Sequence, residues 1–386
     1  MESLDRCTGL LGDLVGFPTV SSDSNLELIS WIADQLGRLG ARVRVFKNPD
    51  GAKANLFASL GPDGDGGIVL SGHTDVVPVE DQDWQTDPFR MTARDRRLYG
   101  RGSCDMKGFI AAALTMAPQF AAARLNRPLH FAFTYDEEVG CLGARALAEE
   151  LVRQDLRPSV AIIGEPTSMR LVEGHKGCCE YTTEFKGLEG HGALPRAGVN
   201  AVEYAVRYAG RLMEIAEELR DRVPSESRFE PPWTTLQIGR LAGGVAHNVI
   251  PGHCHIDWEI RPVRAADAEF VKAAIDRFAD QTLLPAMRAT SASASVHRHV
   301  VGEVEGLEPA DQNEARDIVA SLTGANDAEL VAFGTEAGIF QTLGMSCVVC
   351  GPGAIEQAHK PDEFLECAQL ASCLAMLSGL CERLST

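Results

Sequence analysis

The sequence predicts an α/β protein: a mostly parallel sheet with helices on both faces, interrupted by an inserted α+β sandwich. Two observations lead to this prediction. Short apolar runs alternate with helical patterns at both ends of the chain, an order typical of a parallel sheet covered on both faces. Between residues 178 and 290 the strands instead alternate with period two. We therefore expect a discontinuous catalytic domain, residues 1–177 and 291–386, and an inserted lid or dimerisation domain, residues 178–290.

The N-terminal part supplies most of the expected parallel sheet. A helix is expected over 25–40, because Leu26, Ile29, Ile32 and Leu36 recur at helical spacing. The run "GGIVLSGHTDVV" is expected to be a buried strand, and "GFIAAALTMAPQFAAARL" an apolar, alanine-rich helix. The other segments expected here are strands over 42–47, 55–60, 129–138 and 159–166, and a helix over 143–154.

The expected inserted domain follows the order strand, helix, strand, strand, helix. Its strands are "CCEYTTEFKG", "TTLQIGRLAG" and "GHCHIDWEIRPV", and its helices are expected over 200–223 and 267–287. Asn200 and Glu203 can form a capping box at the start of the first helix. The α/β pattern then resumes, with helices over 314–324 and 364–384 and the strand "MSCVVCG".

Composition excludes several classes of function. The net charge is −18 with a pI near 5.0, and no run of Lys or Arg is present, so binding to nucleic acid or to an anionic membrane is not expected. The apolar stretches are too short to span a bilayer, and the N-terminus lacks the pattern of a signal peptide. Eleven scattered cysteines favour reduced thiols in the cytoplasm. For Cys347 and Cys350, two buried thiols are a better interpretation than a zinc or redox pair.

Carboxylates and imidazoles lie at the ends of several predicted strands. Any one of them alone is better explained as a helix cap or a loop residue, but the carboxyl ends of parallel strands meet at one edge of a sheet. Carboxylates gathered there would repel one another unless a cation held them. Oxygen and imidazole ligands together suit zinc, manganese or cobalt. The residues concerned are His73, Asp75, Asp105, Asp136, Glu137, Glu138, Glu165 and His359.

Nine motifs in order resemble those of the dinuclear-zinc exopeptidase and deacylase family. They are "GHTDVVP", "GRGSCDMKG", "DEEVGCLGA", "GEPTS", "HKG", "GHGALPRAGVNA", "HNVIPG", "GTEA" and "AHKPDE", and they cover nearly the whole chain. The family includes carboxypeptidase G, aminoacylase, succinyl-diaminopimelate desuccinylase and acetylornithine deacetylase. The resemblance implies two divalent metal ions, zinc or alternatively cobalt. The ligands it implies are Asp105 as the bridge, His73 and Glu165 for one ion, and Glu138 and His359 for the other.

The resemblance also implies roles for residues around the metals. Glu137 is the expected general base, and the bond between Asp105 and Met106 is expected to be a cis peptide. Because residues two apart on a strand share a face, Asp75 is expected to accept a hydrogen bond from the ring nitrogen of His73 that does not face a metal.

Four further residues are expected to act on the substrate. By the resemblance, His191 stabilises the oxyanion at a neighbouring subunit's active site, while Asn248 and Arg261 hold the substrate carboxylate. From the residues alone, His191 is better explained as a surface loop histidine. The H-x-H pair in the same predicted strand as Arg261 is better explained as part of a solvated strand face. Glu336 is either an anion for a substrate ammonium group or a helix cap.

The expected function is metal-dependent hydrolysis of an N-acyl amino acid by a cytoplasmic homodimer that pairs through its inserted domain. The resemblance favours N2-acetyl-L-ornithine as substrate, giving acetate and ornithine for arginine biosynthesis. The alternatives are another N-acyl amino acid, succinyl-diaminopimelate or a dipeptide. A non-catalytic metal-binding protein on the same fold is the alternative from a different class.

Overall fold

The computed structural model describes residues 2–385, and the chain forms two compact units. Unit 1 comprises the chain up to Gly174, Pro309–Leu330, and the chain from Thr335 onward. Unit 2 comprises His175–Glu308 and Val331–Gly334. The expected end of the insertion at residue 290 is too early, because a strand over Ser295–Val304 pairs with the sheet of unit 2.

The elements are numbered in chain order. The first part of the chain contains α1 (Glu2–Val15), α2 (Leu26–Arg38), β1 (Arg42–Lys47), β2 (Ala54–Leu60), β3 (Ile68–His73), β4 (Thr92–Arg94), β5 (Arg97–Tyr99), α3 (Gly108–Ala122), β6 (Leu129–Thr134), α4 (Leu142–Arg153), β7 (Val160–Pro166) and β8 (Val172–His175). The middle part contains β9 (Cys178–Lys186), β10 (Gly190–His191), α5 (Ala201–Arg220), β11 (Thr235–Gly243), β12 (Val249–Ile250), β13 (His253–Arg261), α6 (Ala265–Phe278), α7 (Leu284–Arg288) and β14 (Ser295–Val304). The last part contains α8 (Glu314–Thr323), β15 (Glu329–Val331), α9 (Ala337–Thr342), β16 (Ser346–Gly351), β17 (Phe364–Glu366) and α10 (Cys367–Leu384).

Unit 1 is built on a sheet with the strand order β1-β2-β6-β3-β7-β16-β8-β15. The four neighbours β6, β3, β7 and β16 are parallel, whereas β1, β2 and β8 pair antiparallel. Every residue of β2, β3, β6 and β7 is buried, as expected for apolar strands covered on both faces. The predicted fold class is confirmed, and the carboxyl ends of the four parallel strands meet at one edge.

Helices cover both faces of this sheet. Residues of α1, α2, α3, α8 and α10 share one hydrophobic cluster with alternate residues of the central strands, while α4 and α9 contact each other and the strands from the other side. Helix α3 is buried along nearly its whole length, which explains its alanine-rich, apolar sequence. Helix α1 was not predicted, although Cys7, Leu11 and Leu14 recur at helical spacing and are buried.

Unit 2 contains an antiparallel sheet of order β11-β13-β9-β14. Alternate residues of β9 and β13 are buried, and they pack in one cluster with α5 and α6. At the start of α5, Asn200 Oδ1 accepts hydrogen bonds from the backbone N–H groups of Val202 (3.0 Å) and Glu203 (3.2 Å). The Glu203 carboxylate accepts from the Asn200 side chain rather than from its backbone, so only half of the predicted capping box is present.

The helix expected over 267–287 is continuous but contains a π-helical turn, because Ala279, Leu283 and Leu284, at the junctions, all keep right-handed helical dihedrals. Helix α6 ends at Phe278, a π-helical turn follows over Ala279–Leu283, and α7 begins at Leu284. Pro285 comes directly after this turn, in which the Leu284 N–H donates to the Ala279 carbonyl five residues back. The sequence pattern of apolar residues continues across this junction, which is why a single helix was predicted.

No helix among residues 2–385 is both long and apolar enough to cross a bilayer. The eleven cysteines are all free thiols, and Cys347 and Cys350 are buried, in agreement with their interpretation as core residues.

Candidate metal centre

The expected metal ligands of unit 1 come from the ends of its parallel strands. His73 is the last residue of β3, Glu165 is the penultimate residue of β7, and Glu138 follows β6 by four residues. His359 lies in the loop after β16. Asp105 lies in the segment Ser103–Lys107, immediately before α3, where Asp105 and Met106 have non-helical backbone dihedrals. The peptide bond between Asp105 and Met106 is cis, as the resemblance implies.

Asp105 lies between two imidazoles. Its Oδ1 is 3.0 Å from His73 Nε2, and its Oδ2 is 3.3 Å from His359 Nε2. His73 Nε2 is also 3.6 Å from Glu165 Oε1, and His359 Nε2 is 3.0 Å from Glu138 Oε2. The five residues therefore form two imidazole–carboxylate pairs that share one aspartate.

The chemistry of this cluster fits divalent cations. The side chains of Asp105, Glu138 and Glu165 are 6–8% exposed, and Glu165 Oε1 is buried without a hydrogen-bond partner. Burial, together with the nearby charge of Asp105, raises the pKa of Glu165 well above its usual value. Burial likewise raises the pKa of Glu138. Carboxylates held in this way are stabilised as anions only if positive charge is supplied beside them.

The imidazoles respond in the opposite direction. Hydrogen bonds to Asp105 and Glu138 raise the pKa of His359 to about 10. Burial opposes protonation of His73, but Glu165 and Asp105 outweigh it and raise its pKa. The neighbouring carboxylates therefore favour a positive charge at both imidazoles. A bound metal ion would supply this charge instead, with each imidazole neutral.

Among the described residues, three groups of side chains could each hold a metal ion, because the ligand atoms within a group all lie within 4.8 Å of one another. Two lie at this centre: His73, Asp105 and Glu138, and His73, Glu137 and Glu165. The third, Cys178, Glu180 and Glu259, lies in unit 2, where Arg261 already supplies a cation to Glu259 at 2.7 Å. Both groups of unit 1 contain His73, so they form one overlapping cluster of ligand atoms that could hold a metal ion, and His359 adjoins it through Asp105 and Glu138.

Glu137 lies beside these ligands. Its Oε1 accepts a hydrogen bond from Cys141 Sγ (3.4 Å), and its backbone N–H donates to Asp75 Oδ1 (3.0 Å). Burial, and then the charges of Glu138 and Asp105, raise the pKa of Glu137 well above its usual value, although His73 opposes them. Such a carboxylate holds a proton more readily than an exposed one, which suits a group that must accept and then return a proton.

Asp75 differs from the expectation. His73 Nδ1 contacts the backbone carbonyl of Asp75 at 2.9 Å, whereas the Asp75 carboxylate is 3.6 Å away. That carboxylate instead accepts hydrogen bonds from Ser21 Oγ (2.7 Å) and from the N–H groups of Glu137 and Glu138 (3.0 and 3.3 Å). Strand β3 ends at His73, so the alternation of faces no longer determines where Asp75 points.

Glu336 is fully buried in unit 1. Its two oxygens accept hydrogen bonds from the hydroxyls of Thr134 and Ser71, and its side chain does not cap α9. Because both oxygens are satisfied and no part of the side chain is exposed, the structure argues against both expectations for Glu336, the substrate ammonium and the helix cap.

The remaining expected site residues lie in unit 2. His191 in β10 is exposed, and its Nδ1 accepts from the N–H of Ala193 at 3.1 Å. Strand β10 pairs with β12, and the Gly192 N–H donates to the Asn248 carbonyl at 2.7 Å, so His191 and Asn248 belong to one ribbon. Arg261 ends β13, where its guanidinium forms two hydrogen bonds with Glu259 (2.7 and 3.0 Å).

Three buried charged residues near the metal ligands were not predicted: Arg101, Lys107 and Glu363. Arg101 Nη1 lies 2.7 Å from Glu363 Oε2. Lys107 Nζ donates to the Phe17 carbonyl at 2.7 Å, and burial lowers its pKa to about 7. The motifs "GRGSCDMKG" and "AHKPDEF" contain all three, but nothing in the sequence alone shows that they are buried.

A cluster of carboxylates and imidazoles at the strand ends of a parallel sheet is typical of a metalloenzyme. The family model for peptidase family M20/M25/M40 matches residues 69–383, and the chain belongs to this family. This confirms the resemblance drawn from the nine motifs. The family is metal-dependent, in agreement with the cluster around Asp105.

Two curated relatives carry the name acetylornithine deacetylase. The protein from Pasteurella multocida (strain Pm70) is 35% identical over 390 residues, which cover 98% of each chain. The protein from Shigella sonnei (strain Ss046) is 36% identical over 360 residues, covering 92% of this chain and 91% of the relative.

Solved structures share the fold at lower identity. An M20 family metallo-carboxypeptidase from Sulfolobus solfataricus has a TM-score of 0.73 at 16% identity and covers 96% of this chain and 97% of its own. A dinuclear metal-binding M20 peptidase from Bacillus subtilis has a TM-score of 0.64 at 18% identity, with 98% of both chains covered.

Proposed function

We propose that the protein hydrolyses N2-acetyl-L-ornithine to L-ornithine and acetate, as a step of arginine biosynthesis in the cytoplasm. The observation that carries the proposal is Asp105, whose two oxygens face different imidazole–carboxylate pairs. The choice of substrate is supported by the two relatives, which are 35–36% identical over most of the chain.

Five residues would hold two divalent cations, for which zinc is proposed and cobalt is the alternative. His73 and Glu165 would hold one cation, Glu138 and His359 the other, and Asp105 would be shared. When bound, a pair of such cations polarises an acyl carbonyl and lowers the pKa of water.

Glu137 is proposed as the proton-transfer group. Its carboxylate accepts a proton from the attacking water and returns it to the amine nitrogen as the amide C–N bond breaks. The hydrogen bond that the Glu137 N–H donates to Asp75 Oδ1 fixes the backbone that carries this carboxylate. Unit 2 is proposed as the lid and homodimerisation domain, with His191, Asn248 and Arg261 acting on the oxyanion and carboxylate of the substrate.

A substrate panel tests the proposal. Purified protein reconstituted with zinc or cobalt is assayed with N2-acetylornithine, N-acetylmethionine, succinyl-diaminopimelate and a dipeptide. We expect the highest kcat/KM with N2-acetylornithine. A higher kcat/KM for another member of the panel would overturn the substrate, and no hydrolysis of any of them by protein with bound metal would overturn the activity.

A further inference from the structure

Glu363 is a buried carboxylate directed at the turn that carries Asp105. Its Oε2 accepts hydrogen bonds from Arg101 Nη1 (2.7 Å) and from the Gly102 N–H (2.9 Å). Its Oε1 accepts from the N–H groups of Cys104 (2.8 Å) and Asp105 (3.0 Å). All four partners are donors, which is the pattern around an ionised carboxylate. Three of them are backbone groups, so Glu363 fixes the main chain that leads into the shared metal ligand.

The same pair of residues reaches the loop of His359. Arg101 is 1% exposed, and its guanidinium lies over the ring of Trp84 at 5.0 Å from the centroid. Its Nη2 donates to Gln82 Oε1, and Gln82 Nε2 donates to the backbone carbonyl of His359 at 3.1 Å. A chain of hydrogen bonds therefore runs from Glu363 through Arg101 and Gln82 to the backbone of His359.

Backbone pairing joins the two ligand-bearing segments next to this carboxylate. Strand β17, which follows Glu363 directly, pairs antiparallel with β5, and the Gly100 N–H donates to the Glu363 carbonyl at 2.9 Å. His359 needs such support more than the other expected ligands, because its side chain is 51% exposed whereas the other four are 0–8% exposed.

We propose that Glu363 and Arg101 form a positioning pair that holds Asp105 and His359 in the relative placement required to bind the cation at Glu138 and His359. Neither residue touches the reacting atoms; both act through the backbone of the ligands. The inference rests on the proposed function, since it takes the centre to hold two cations.

A purely structural ion pair predicts a different result from a positioning pair. Removing a structural pair lowers the stability of the metal-free protein and leaves the relative affinity of the two metal sites unchanged. Removing a positioning pair weakens mainly the site with the exposed histidine. Loss of a residue that orients a metal ligand typically costs about 10–100-fold in affinity.

The test is a titration of the full-length metal-free protein with Co²⁺, followed by visible absorption and calorimetry. Wild-type protein is expected to bind two equivalents in two steps. In Glu363→Gln the amide nitrogen would face donors, and we expect the weaker step to lose about 10–100-fold in affinity with a smaller loss in the tighter step. His359→Gln lacks one of the expected ligands, and its titration shows what the binding of a single equivalent looks like. The titration of Glu363→Gln should approach that of His359→Gln.

Glu366→Gln is the matched control. Glu366 lies three residues further on, pairs with Arg97 at 3.4 Å and has a side chain that is 43% exposed, so its titration should equal that of wild type. If Glu363→Gln fails to fold, Gln82→Ala decides, because Gln82 is only partly buried and links Arg101 to His359. We expect it to weaken the same step several-fold.

The outcomes separate the inference from the function on which it rests. Two wild-type Co²⁺ steps that stay unchanged in Glu363→Gln, or in Gln82→Ala if the first variant does not fold, overturn the inference and leave the proposed function standing. Equal weakening of both steps also overturns it. Wild-type protein that binds fewer than two equivalents overturns the dinuclear centre itself.

Discussion

Asp75 shows how one buried carboxylate can fix the backbone of a site. Its oxygens accept from the N–H groups of Glu137 and Glu138, and so fix the backbone of two residues with different proposed roles. Replacing Asp75 with Asn puts an N–H donor where one of these donors points. We expect Asp75→Asn to lower kcat about 10–100-fold and to reduce bound metal.

Ser21→Ala is the control for this prediction, because it removes the 2.7 Å hydrogen bond to Asp75 but leaves both N–H contacts intact. Its kcat and metal content should stay within a few-fold of wild type. Steady-state kinetics and elemental analysis provide both readouts. Equal effects of the two substitutions would show that the backbone contacts are not what matters.

Glu137 is expected to matter for catalysis and not for metal binding. Substitution with Gln keeps the shape of the side chain but removes its ability to accept a proton. We expect kcat of Glu137→Gln to fall about 10²–10⁴-fold with metal content unchanged. Glu149→Gln, on the exposed side of α4, should behave as wild type. A variant at Glu137 that retained full kcat would remove this residue from the mechanism.

At the scale of elements, β6 contains a buried histidine that should make stability depend on pH. His130 stacks on Phe57 with ring centroids 4.8 Å apart, and burial with nearby arginines lowers its pKa to about 4 from 6.5. The unfolded chain therefore binds the proton first as the pH falls. Stability from this group is fully present above pH 6.5 and is lost as the pH falls towards 4, by at most roughly 3 kcal/mol.

Urea denaturation of His130→Gln and wild type between pH 7 and pH 4 measures this contribution. The variant should be less stable at pH 7 but should lose less stability as the pH falls. His253→Gln, at an exposed position of β13, should show the same dependence of the free energy of unfolding on pH as wild type. If this pH dependence is the same in all three proteins, His130 is ruled out as its cause.

Close packing of α3 on β7 gives a second prediction at this scale. Gly164 precedes the metal ligand Glu165, and a Cβ there would lie 1.9 Å from the Phe109 ring. We expect Gly164→Ala to destabilise the protein by about 1–3 kcal/mol through overpacking. In Gly210→Ala, within α5, a Cβ meets nothing within 4 Å, so this variant should be more stable by about 0.5–1 kcal/mol. Urea denaturation distinguishes these opposite signs.

The elements that could be predicted from sequence are those with a strong pattern. Buried apolar runs identified β3, β6 and β7, and their order identified the parallel sheet and the convergence of His73, Glu165 and Glu138. Strand β14 was missed because His297 and His299 lie on its exposed face and leave only a short apolar pattern. The direction of Asp75 could not be predicted, because it lies beyond the end of its strand. Glu363 was missed because its partners lie about 260 residues away along the chain.

For the whole molecule, metal removal should lower stability. Ions that bind only the folded state stabilise it by RT ln(1 + [L]/Kd), about 2.7 kcal/mol at a hundredfold excess over Kd. We expect EDTA to lower Tm by several degrees, as measured by scanning calorimetry. In Asp105→Asn, which alters the shared ligand, the difference in Tm between samples with and without EDTA should be smaller than in wild type. Identical melting of wild type in both conditions would contradict metal binding to the folded protein.

The unequal exposure of the ligands has a practical consequence for anyone who purifies the protein. His73 is inaccessible to solvent, whereas half of the His359 side chain is open. Dialysis against a weak chelator should therefore strip the centre in stages, from the His359 side first. Preparations handled differently would then contain mixtures of half-loaded and fully loaded molecules, and their specific activities would be comparable only after the metal content of each batch had been measured.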